Sequence, residues 1–429
     1  MSSALSSSET IVPQRHVLAS RNFRLLWLGQ AISTFGDKFS EIAIPIMVYT
    51  ITGSAVQLGL AFLTQTLAAL IFGLFAGVIA DRWNRQRTMI WSDIIRAVFI
   101  FAILFVPLLP LTISGQLVVL YTLSFIIAAV KQFFLPAKIA IIPETVGEGQ
   151  LMAANSLDQS TMTLIGFLGF AAAGLLVEWV GVQIAFVVDG FTFLVSALFI
   201  LLMRLPQTES AAAEVTPKPD VIAGIRAGFA HVWQSPILKG TVLLSLIAPL
   251  AVGATQALLL IFARNVLGAG AIGFGLLEGI FGLGIACGAY ILARFAADAP
   301  RGRLLAGGVI GMGVGQFLGV LLPLWLVSQY EMTTTLLMAV SLPFFFLGAV
   351  CNAAVFIGIR TIVQENAPRP MIGRVFSVIM VVSSMAIAAG ASLAGLADWL
   401  GVGVMLIIWS VVLVASGVLA LAWKTFREA

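Results

Sequence analysis

The chain has 429 residues, of which 60% are hydrophobic and 10% are charged, and its formal net charge is +4. An ordinary soluble domain carries about 25% charged residues, so this chain cannot cover a water-exposed surface. The composition therefore excludes an ordinary soluble protein. The apolar residues occur in runs of roughly twenty, the length that a helix needs to cross a bilayer.

The apolar runs are continuous and do not alternate, which predicts an all-α bundle and not a β-barrel. We predict twelve transmembrane helices in two groups of six. The first six spans lie near residues 24–50, 57–80, 89–110, 115–137, 151–178 and 182–203. The second six lie near residues 237–263, 270–293, 303–327, 334–360, 373–397 and 401–423.

A polar stretch divides the chain into two halves of equal span number. Residues 1–203 form the N-terminal half with its tail, residues 204–236 form a linker, and residues 237–429 form the C-terminal half. A weak repeat relates the halves, as a duplicated transporter fold requires. Its matching residues are Arg85 with Arg301, Arg87 with Arg303, Ile141 with Ile362, Glu144 with Glu365, and Ser156 with Ser377.

Positive charges are distributed unevenly between the two sides of the predicted bundle. All but four of the 23 lysines and arginines lie in the termini, the linker and the loops on the same side. The four exceptions are Arg264 in an opposite loop and Lys38, Arg96 and Lys131 within spans. Because cytoplasmic loops carry the excess of Lys and Arg, we expect a multi-pass protein of the bacterial inner membrane, the plasma membrane, with both termini and the linker in the cytoplasm.

The loop between spans two and three combines a small residue, an acid and several bases, namely Gly77, Asp81, Arg82, Arg85 and Arg87. Gly77 allows close helix contact, and Asp81 can meet the positive N-terminus of a neighbouring helix. This pattern resembles the signature loop of the major facilitator superfamily. The resemblance implies a gating loop that holds the cytoplasmic face shut in one conformation. The alternative is a membrane anchor made by the arginines.

Two features of the chain depart from the patterns of that superfamily. Asn84 stands where the loop usually has Gly, and we expect Asn84 to preserve a left-handed turn. Span five carries Gly166, Gly169 and Gly174, which resemble the Gly-rich motif of the exporter branches, but Phe170 replaces the usual Pro. These glycines are predicted to allow tight helix packing between the halves. Such packing is also the alternative to a role of the motif in the direction of transport.

Several first-half segments resemble the branch of the superfamily that contains macrolide exporters and the enterobactin exporter. They are residues 23–30, Gly36 with Asp37, Asn155, and residues 189–193. This resemblance implies efflux of amphipathic organic molecules and does not single out one substrate.

Three charged residues, Asp37, Lys38 and Glu41, lie near the middle of span one. Each charge at a helix centre costs roughly 2.5–3.5 kcal/mol on insertion scales, so lipid cannot be their neighbour. Asp37 and Glu41 are four residues apart and share a helix face. In the resembled fold this span lines the central cavity, which implies that all three residues contact substrate. A proton or another cation can bind Asp37 and Glu41 there, whereas a structural ion pair is the alternative.

Other charges within spans receive different predictions. Lys131 in span four is expected to line the substrate cavity and either to balance Asp37 or to meet an anionic substrate. Glu278 in span eight is a candidate second coupling site. Asp93 and Arg96, three residues apart, are expected to form a structural pair, and Asp189 is expected to pack structurally because span six is peripheral in the resembled fold.

The sequence shows no Gly-rich phosphate loop of the Walker type, which argues against an ATP-driven pump. Cys287 and Cys351 lie in apolar runs and indicate neither a disulfide nor a metal site, so we expect no cofactor and no enzyme activity. We expect a monomeric secondary active transporter in the lipid bilayer that exchanges protons or another cation for a small-molecule substrate and binds no nucleic acid. The alternatives are a lysophospholipid flippase of the same superfamily and a non-transporting membrane receptor or assembly factor.

Overall fold

The structure, a computed structural model, describes residues 17–80, 83–147, 150–205, 229–295, 299–368 and 371–427. Asp81, Arg82 and linker residues 206–228 lie outside the described residues. The described part of the first half contains α1 (Arg21–Thr52), α2 (Ala55–Ala80), α3 (Arg85–Ile103), α4 (Ile113–Thr145), α5 (Leu151–Val180) and α6 (Val182–Leu201). The described part of the second half contains α7 (Pro236–Ile261), α8 (Gly270–Phe295), α9 (Arg301–Gln329), α10 (Thr334–Asn366), α11 (Ile372–Leu393) and α12 (Val402–Ala422).

These helices confirm the all-α polytopic architecture, and no strand occurs among the described residues. By length and composition, 11 of them are apolar enough to cross a membrane. The remaining long helix is α1, which spans 32 residues and contains Asp37, Lys38 and Glu41. The three charges that reduce the hydropathy of α1 are the same charges that we predicted as site residues.

The start of α3 differs from the prediction because of Asn84. Its side chain accepts a hydrogen bond from the backbone N–H of Arg87 at 2.9 Å and so caps the helix. The helix therefore begins at Arg85, four residues before the predicted span. Asn84 has φ −63° and ψ 114°, so the expected left-handed turn is wrong and the residue is an extended N-cap.

The repeat found in the sequence corresponds to repeated contacts in the structure. Arg85 of α3 forms an ion pair with Glu144 of α4. At the matching positions of the second half, Arg301 of α9 lies 3.4 Å from Glu365 of α10. Each pair joins the third and fourth helices of its own half, so the two halves share local chemistry as well as helix order.

The halves meet where α5 packs on α8 and α2 packs on α11. A Cβ atom built at Gly174 would lie 2.6 Å from the carbonyl oxygen of Ala271, and one at Gly59 would lie 2.1 Å from that of Ala391. Only glycine permits these backbone approaches. Both contacts lie towards the distal side of the bundle, which we define as the side at which α1 ends and α12 begins.

On the terminal side, where α1 begins and α12 ends, α5 and α8 are apart at their glycines. The glycine contact of α5 with α8 nearest that side joins Phe167 to Gly279, whose Cβ would lie 2.9 Å from the Phe167 carbonyl oxygen. Cβ atoms built at Gly166 and Gly282 would meet no atom within 4 Å. At these helices the halves are therefore in contact on the distal side and separated by a cleft that opens on the terminal side.

Candidate functional site

The charges of span one take part in an ionic cluster that joins three helices of the first half. One oxygen of Asp37 in α1 lies 3.2 Å from Lys131 Nζ in α4. The other oxygen lies 3.6 Å from Arg96 of α3. The structure therefore brings Lys131 and Asp37 together, as expected for a balancing pair. It adds Arg96, which we had predicted only as the partner of Asp93.

Glu41 lies beside Asp37 and shares its cation. Lys131 Nζ is 3.5 Å from Glu41, so the two acids that are four residues apart do present one face to α4. Lys38 pairs with Glu41 at 2.5 Å, and its Nζ lies 4.6 Å from the centre of the Phe170 ring in α5. The predicted trio of span one is thus tied to both α4 and α5.

The inner end of the cluster is sealed from solvent. Arg96 and Asp93 form the predicted pair at 2.5 Å, with only 3% and 0% of their side chains exposed. The guanidinium lies 4.1 Å from the centre of the Phe193 ring, at a distance typical of a cation–π contact. By contrast, 46% of the Lys131 side chain is exposed. The cluster therefore extends from a closed interior at α3 to an accessible surface at α4.

Charge within this ionic cluster is balanced. It contains three acids and three bases, which are Asp37, Glu41, Asp93, Lys38, Arg96 and Lys131. Each base contacts at least one acid. No cation of the cluster is left over for a further carboxylate.

Asp189 of α6, which we expected to pack structurally, lies against this cluster. It accepts a hydrogen bond from Ser40 of α1, and its other oxygen has no hydrogen-bond partner in the described part of the chain. The close approach follows from Gly36, where a Cβ would collide with Thr192 of α6. The sequence signal was present, because Gly36 and residues 189–193 were both noted, but their contact was not predicted.

Glu278 of α8 lies in the second half, near the surface that faces α5. The described residues provide it with no hydrogen bond and no ion pair within 4.0 Å. The charges of Lys38 and Glu41 act on it at longer range across the boundary between the halves. The structure therefore separates the three predicted coupling residues into two paired acids, Asp37 and Glu41, and one unpaired acid, Glu278.

The predicted gating loop is described only in part. Gly77 lies in the last turns of α2, whereas Asp81 and Arg82 are outside the described residues. Arg85 contacts Glu144 and the Ala140 carbonyl oxygen of its own half, and Arg87 is exposed. In this conformation, Arg85 therefore links α3 to α4 and makes no described contact between the halves.

The three glycines of α5 have different environments. Gly174 makes the close contact with Ala271 described above. Gly169 faces α1, where its Cβ would lie 2.8 Å from the side chain of Lys38, so it makes room for a member of the cluster. Gly166 has open space around it and does not make the tight contact that we expected.

Comparison with known proteins agrees with this architecture. The sequence profile of the Major Facilitator Superfamily matches residues 26–391. The chain belongs to the major facilitator superfamily. It is similar in fold to a crystal structure of a bacterial homologue of the iron transporter ferroportin in an inward-facing state, with a TM-score of 0.68, 14% identity, and coverage of 94% of this chain and 98% of that one.

Curated relatives at low identity are named as exporters. The chain is 26% identical to the putative bacilysin exporter BacE of Bacillus amyloliquefaciens, over 88% of this chain and 89% of that protein. It is 25% identical to macrolide efflux protein A of Streptococcus pyogenes, over 89% and 90%. It is 26% identical to the enterobactin exporter EntS of Escherichia coli O9:H4, over 90% and 86%. These matches confirm the resemblance read from the first half, and this multi-pass membrane transporter has efflux-type relatives.

Proposed function

We propose that this transporter is a proton-coupled exporter of amphipathic small organic molecules that works by alternating access. The observation that carries the proposal is the position of Asp37 between Lys131 and Arg96, at the edge of the cleft. A proton on Asp37 would remove its charge and weaken its attraction for both cations. Proton binding would thereby change the forces between α1, α3 and α4, which is the requirement for coupling.

The direction of transport is supported by charge placement and by the relatives. If the positive-inside rule holds for this chain, the terminal side is cytoplasmic in the plasma membrane. The cleft then opens to the cytoplasm, from which an exporter takes its substrate. The macrolide, enterobactin and bacilysin proteins are named for the efflux or export of organic molecules, which favours export of that class here.

Uptake into everted membrane vesicles tests the proposal. In such vesicles an exporter moves substrate inward, and an acidic lumen supplies the proton gradient. We expect vesicles that contain the protein to accumulate a radiolabelled macrolide or a lipophilic dye above its external concentration, and a protonophore to abolish the accumulation. Accumulation that is equal in vesicles without the protein, or that survives the protonophore, would contradict proton-coupled export. Movement of a lysophospholipid probe into the same vesicles in the presence of the protonophore would favour the flippase alternative.

A further inference from the structure

A small, partly open cavity lies within the second half, lined by residues of α7, α8, α9 and α10. Its volume is about 50 Å³, and a single water molecule needs at least about 10–15 Å³ of such volume. Glu278 lies at its wall on α8, next to Gly279, which contacts α5 of the first half. The cavity is therefore close to the boundary between the halves and large enough for a chemical group, not for a whole substrate.

The polar side chains of the cavity are of two kinds. Thr255 donates a hydrogen bond to Gln316 Oε1 at 3.1 Å, and Gln316 Nε2 donates to the Leu406 carbonyl oxygen at 3.0 Å. These two residues are engaged with each other and with the backbone. Glu278 and Gln256 also line the cavity, and neither has a hydrogen bond to any described residue. Two polar groups thus remain available to a ligand, and one of them is a carboxylate.

The remaining wall is apolar and partly aromatic. Phe281 and Phe345 contribute rings to the lining, beside Leu259 and Met312. Aromatic faces attract cations, and this attraction strengthens when water is excluded. A carboxylate among aromatic rings matches an ammonium group that carries hydrocarbon. It does not match an anion, which Glu278 repels, and a neutral apolar group would leave Glu278 unsatisfied.

No cation of the described residues lies within 4.0 Å of the Glu278 carboxylate. The three bases of the first-half cluster already contact Asp37, Glu41 and Asp93. A charged group within a membrane protein needs a partner, because an isolated charge in a medium of low dielectric constant is costly. Glu278 therefore requires a proton, water or a counter-charge from outside this set of residues, and a bound cation supplies that counter-charge.

We propose that the cavity around Glu278 is a binding subsite for the protonated amine of a lipophilic cation. The ammonium donates hydrogen bonds to the Glu278 carboxylate and to the Gln256 side-chain oxygen, while Phe281 and Phe345 contact its alkyl groups. The body of the ligand extends into the cleft between the halves. This inference rests on the proposed function, because it names the class of substrate that the exporter takes.

Equilibrium binding of monodansylcadaverine to the purified, full-length protein in lipid nanodiscs tests the inference. This probe joins a primary amine to a fluorescent aromatic body, and its N-acetyl derivative is a neutral control of similar shape. We expect wild-type protein to bind the amine at least about tenfold more tightly than the acetylated compound. Glu278→Gln should weaken amine binding by about tenfold and leave binding of the acetylated compound within about twofold.

Further variants identify the contact. Glu278→Asp, which keeps the charge, should retain most of the preference for the amine, and Gln256→Leu should weaken amine binding by a smaller factor. Glu331→Gln makes the same substitution at an exposed distal loop and should have no effect. A thermal unfolding transition shows that each variant is folded. If Glu278→Gln does not fold, the amine affinity of Gln256→Leu and the preference of the wild-type protein for the amine over the acetylated compound test the subsite.

Equal binding of both compounds to wild-type protein, or an unchanged amine affinity in folded Glu278→Gln, would overturn the subsite. An equal loss of affinity for both compounds in Glu278→Gln would also overturn it, because Glu278 would then affect the shape of the cavity and not bind the charge of the amine. No gradient is present in this experiment. Failure of proton-driven accumulation in vesicles therefore contradicts the proposed function separately from the subsite.

Discussion

Asp398 of the second half accepts a hydrogen bond from the backbone N–H of Ala55, the first residue of α2 in the first half, at 2.9 Å. Glu178 of the first half accepts one from the backbone N–H of Ala271, in the first turn of α8, also at 2.9 Å. Each half thus places a carboxylate at the N-terminus of a helix of the other half, where the helix dipole favours negative charge. Both contacts lie on the closed distal side.

Removing these two carboxylates should favour opening of the distal side. A carboxylate at a helix N-terminus contributes about 0.3–1 kcal/mol through its charge, so Asp398→Asn combined with Glu178→Gln should increase the distally open population by about 3- to 30-fold. Maleimide labelling of a cysteine at Met47 reports the change, because Met47 lies in the last turns of α1, on the distal side, and is only 5% exposed. The measurement uses a background in which Cys287 and Cys351 are replaced by Ser.

The control for this experiment is Glu331→Gln, on the same side of the protein. Glu331 forms no hydrogen bond or ion pair with the described residues, so its neutralisation should leave labelling unchanged. Equal labelling rates in the double variant and the control would show that these carboxylates do not hold the distal side closed.

Gly166 provides a test of closure at the terminal side. Gly166 directly precedes Phe167, and Gly282 follows Gly279 by three residues, so both glycines lie at the terminal-side end of the contact between α5 and α8. Gly166→Val should fold normally, because its Cβ meets open space in this conformation. It should slow transport severalfold by obstructing the approach of α8 when the terminal side closes.

Gly174→Val is the matched variant, in which the same substitution should impair folding and not only transport. Its Cβ would lie 2.6 Å from the Ala271 carbonyl oxygen, so we expect loss of abundance and a lower thermal unfolding temperature. Abundance and vesicle uptake are measured for both variants. Normal transport by Gly166→Val would show that the two helices do not meet at this level.

The sequence predicted the parts of this structure that depend on local pattern. Apolar runs located the helices, and the spacing of Asp37 and Glu41 predicted a shared helix face, which the structure turns towards Lys131. It did not predict that Arg96 of α3 contacts Asp37, because which faces of α1 and α3 meet is decided by tertiary packing. The collision that any larger residue at Gly36 would make with Thr192 likewise appears only once α1 and α6 are in place.

The sequence also could not predict in which conformational state of the transporter each helix contact forms. Gly166 and Gly174 belong to the same Gly-rich pattern of α5, yet Gly174 packs on α8 and Gly166 does not. The difference depends on which side of the bundle is open, and one sequence must serve both states. A pattern of small residues therefore predicts a contact surface without specifying the state in which each contact forms.

Cysteine labelling tests the proposed orientation. Glu331 lies in an exposed loop of the distal side, and Trp83 lies on the terminal side with 57% of its surface exposed. A membrane-impermeant maleimide added to intact cells should label Glu331→Cys and should label Trp83→Cys only after permeabilisation. Labelling of Trp83→Cys in intact cells would reverse the orientation and, with it, the direction in which the cleft opens.

The role of Asp37 in coupling is tested by Asp37→Asn. The substitution keeps the size of the side chain, and both of its cations retain other acids, since Arg96 contacts Asp93 and Lys131 contacts Glu41. The protein should therefore fold. A proton driven by 100 mV supplies about 2.3 kcal/mol, so loss of the coupled site should abolish accumulation against a gradient in everted vesicles.

Exchange of substrate down its own gradient should persist in Asp37→Asn, because alternating access itself requires no proton at this position. Counterflow without a pH gradient measures that exchange. The matched control is Asp158→Asn, which breaks the 2.9 Å pair with Lys138 without altering the central cluster and should still accumulate substrate. If Asp37→Asn also accumulates substrate uphill, Asp37 is a structural member of the ion pairs, and the coupling residue must be sought at Glu41, whose pair with Lys131 is the more exposed of the two.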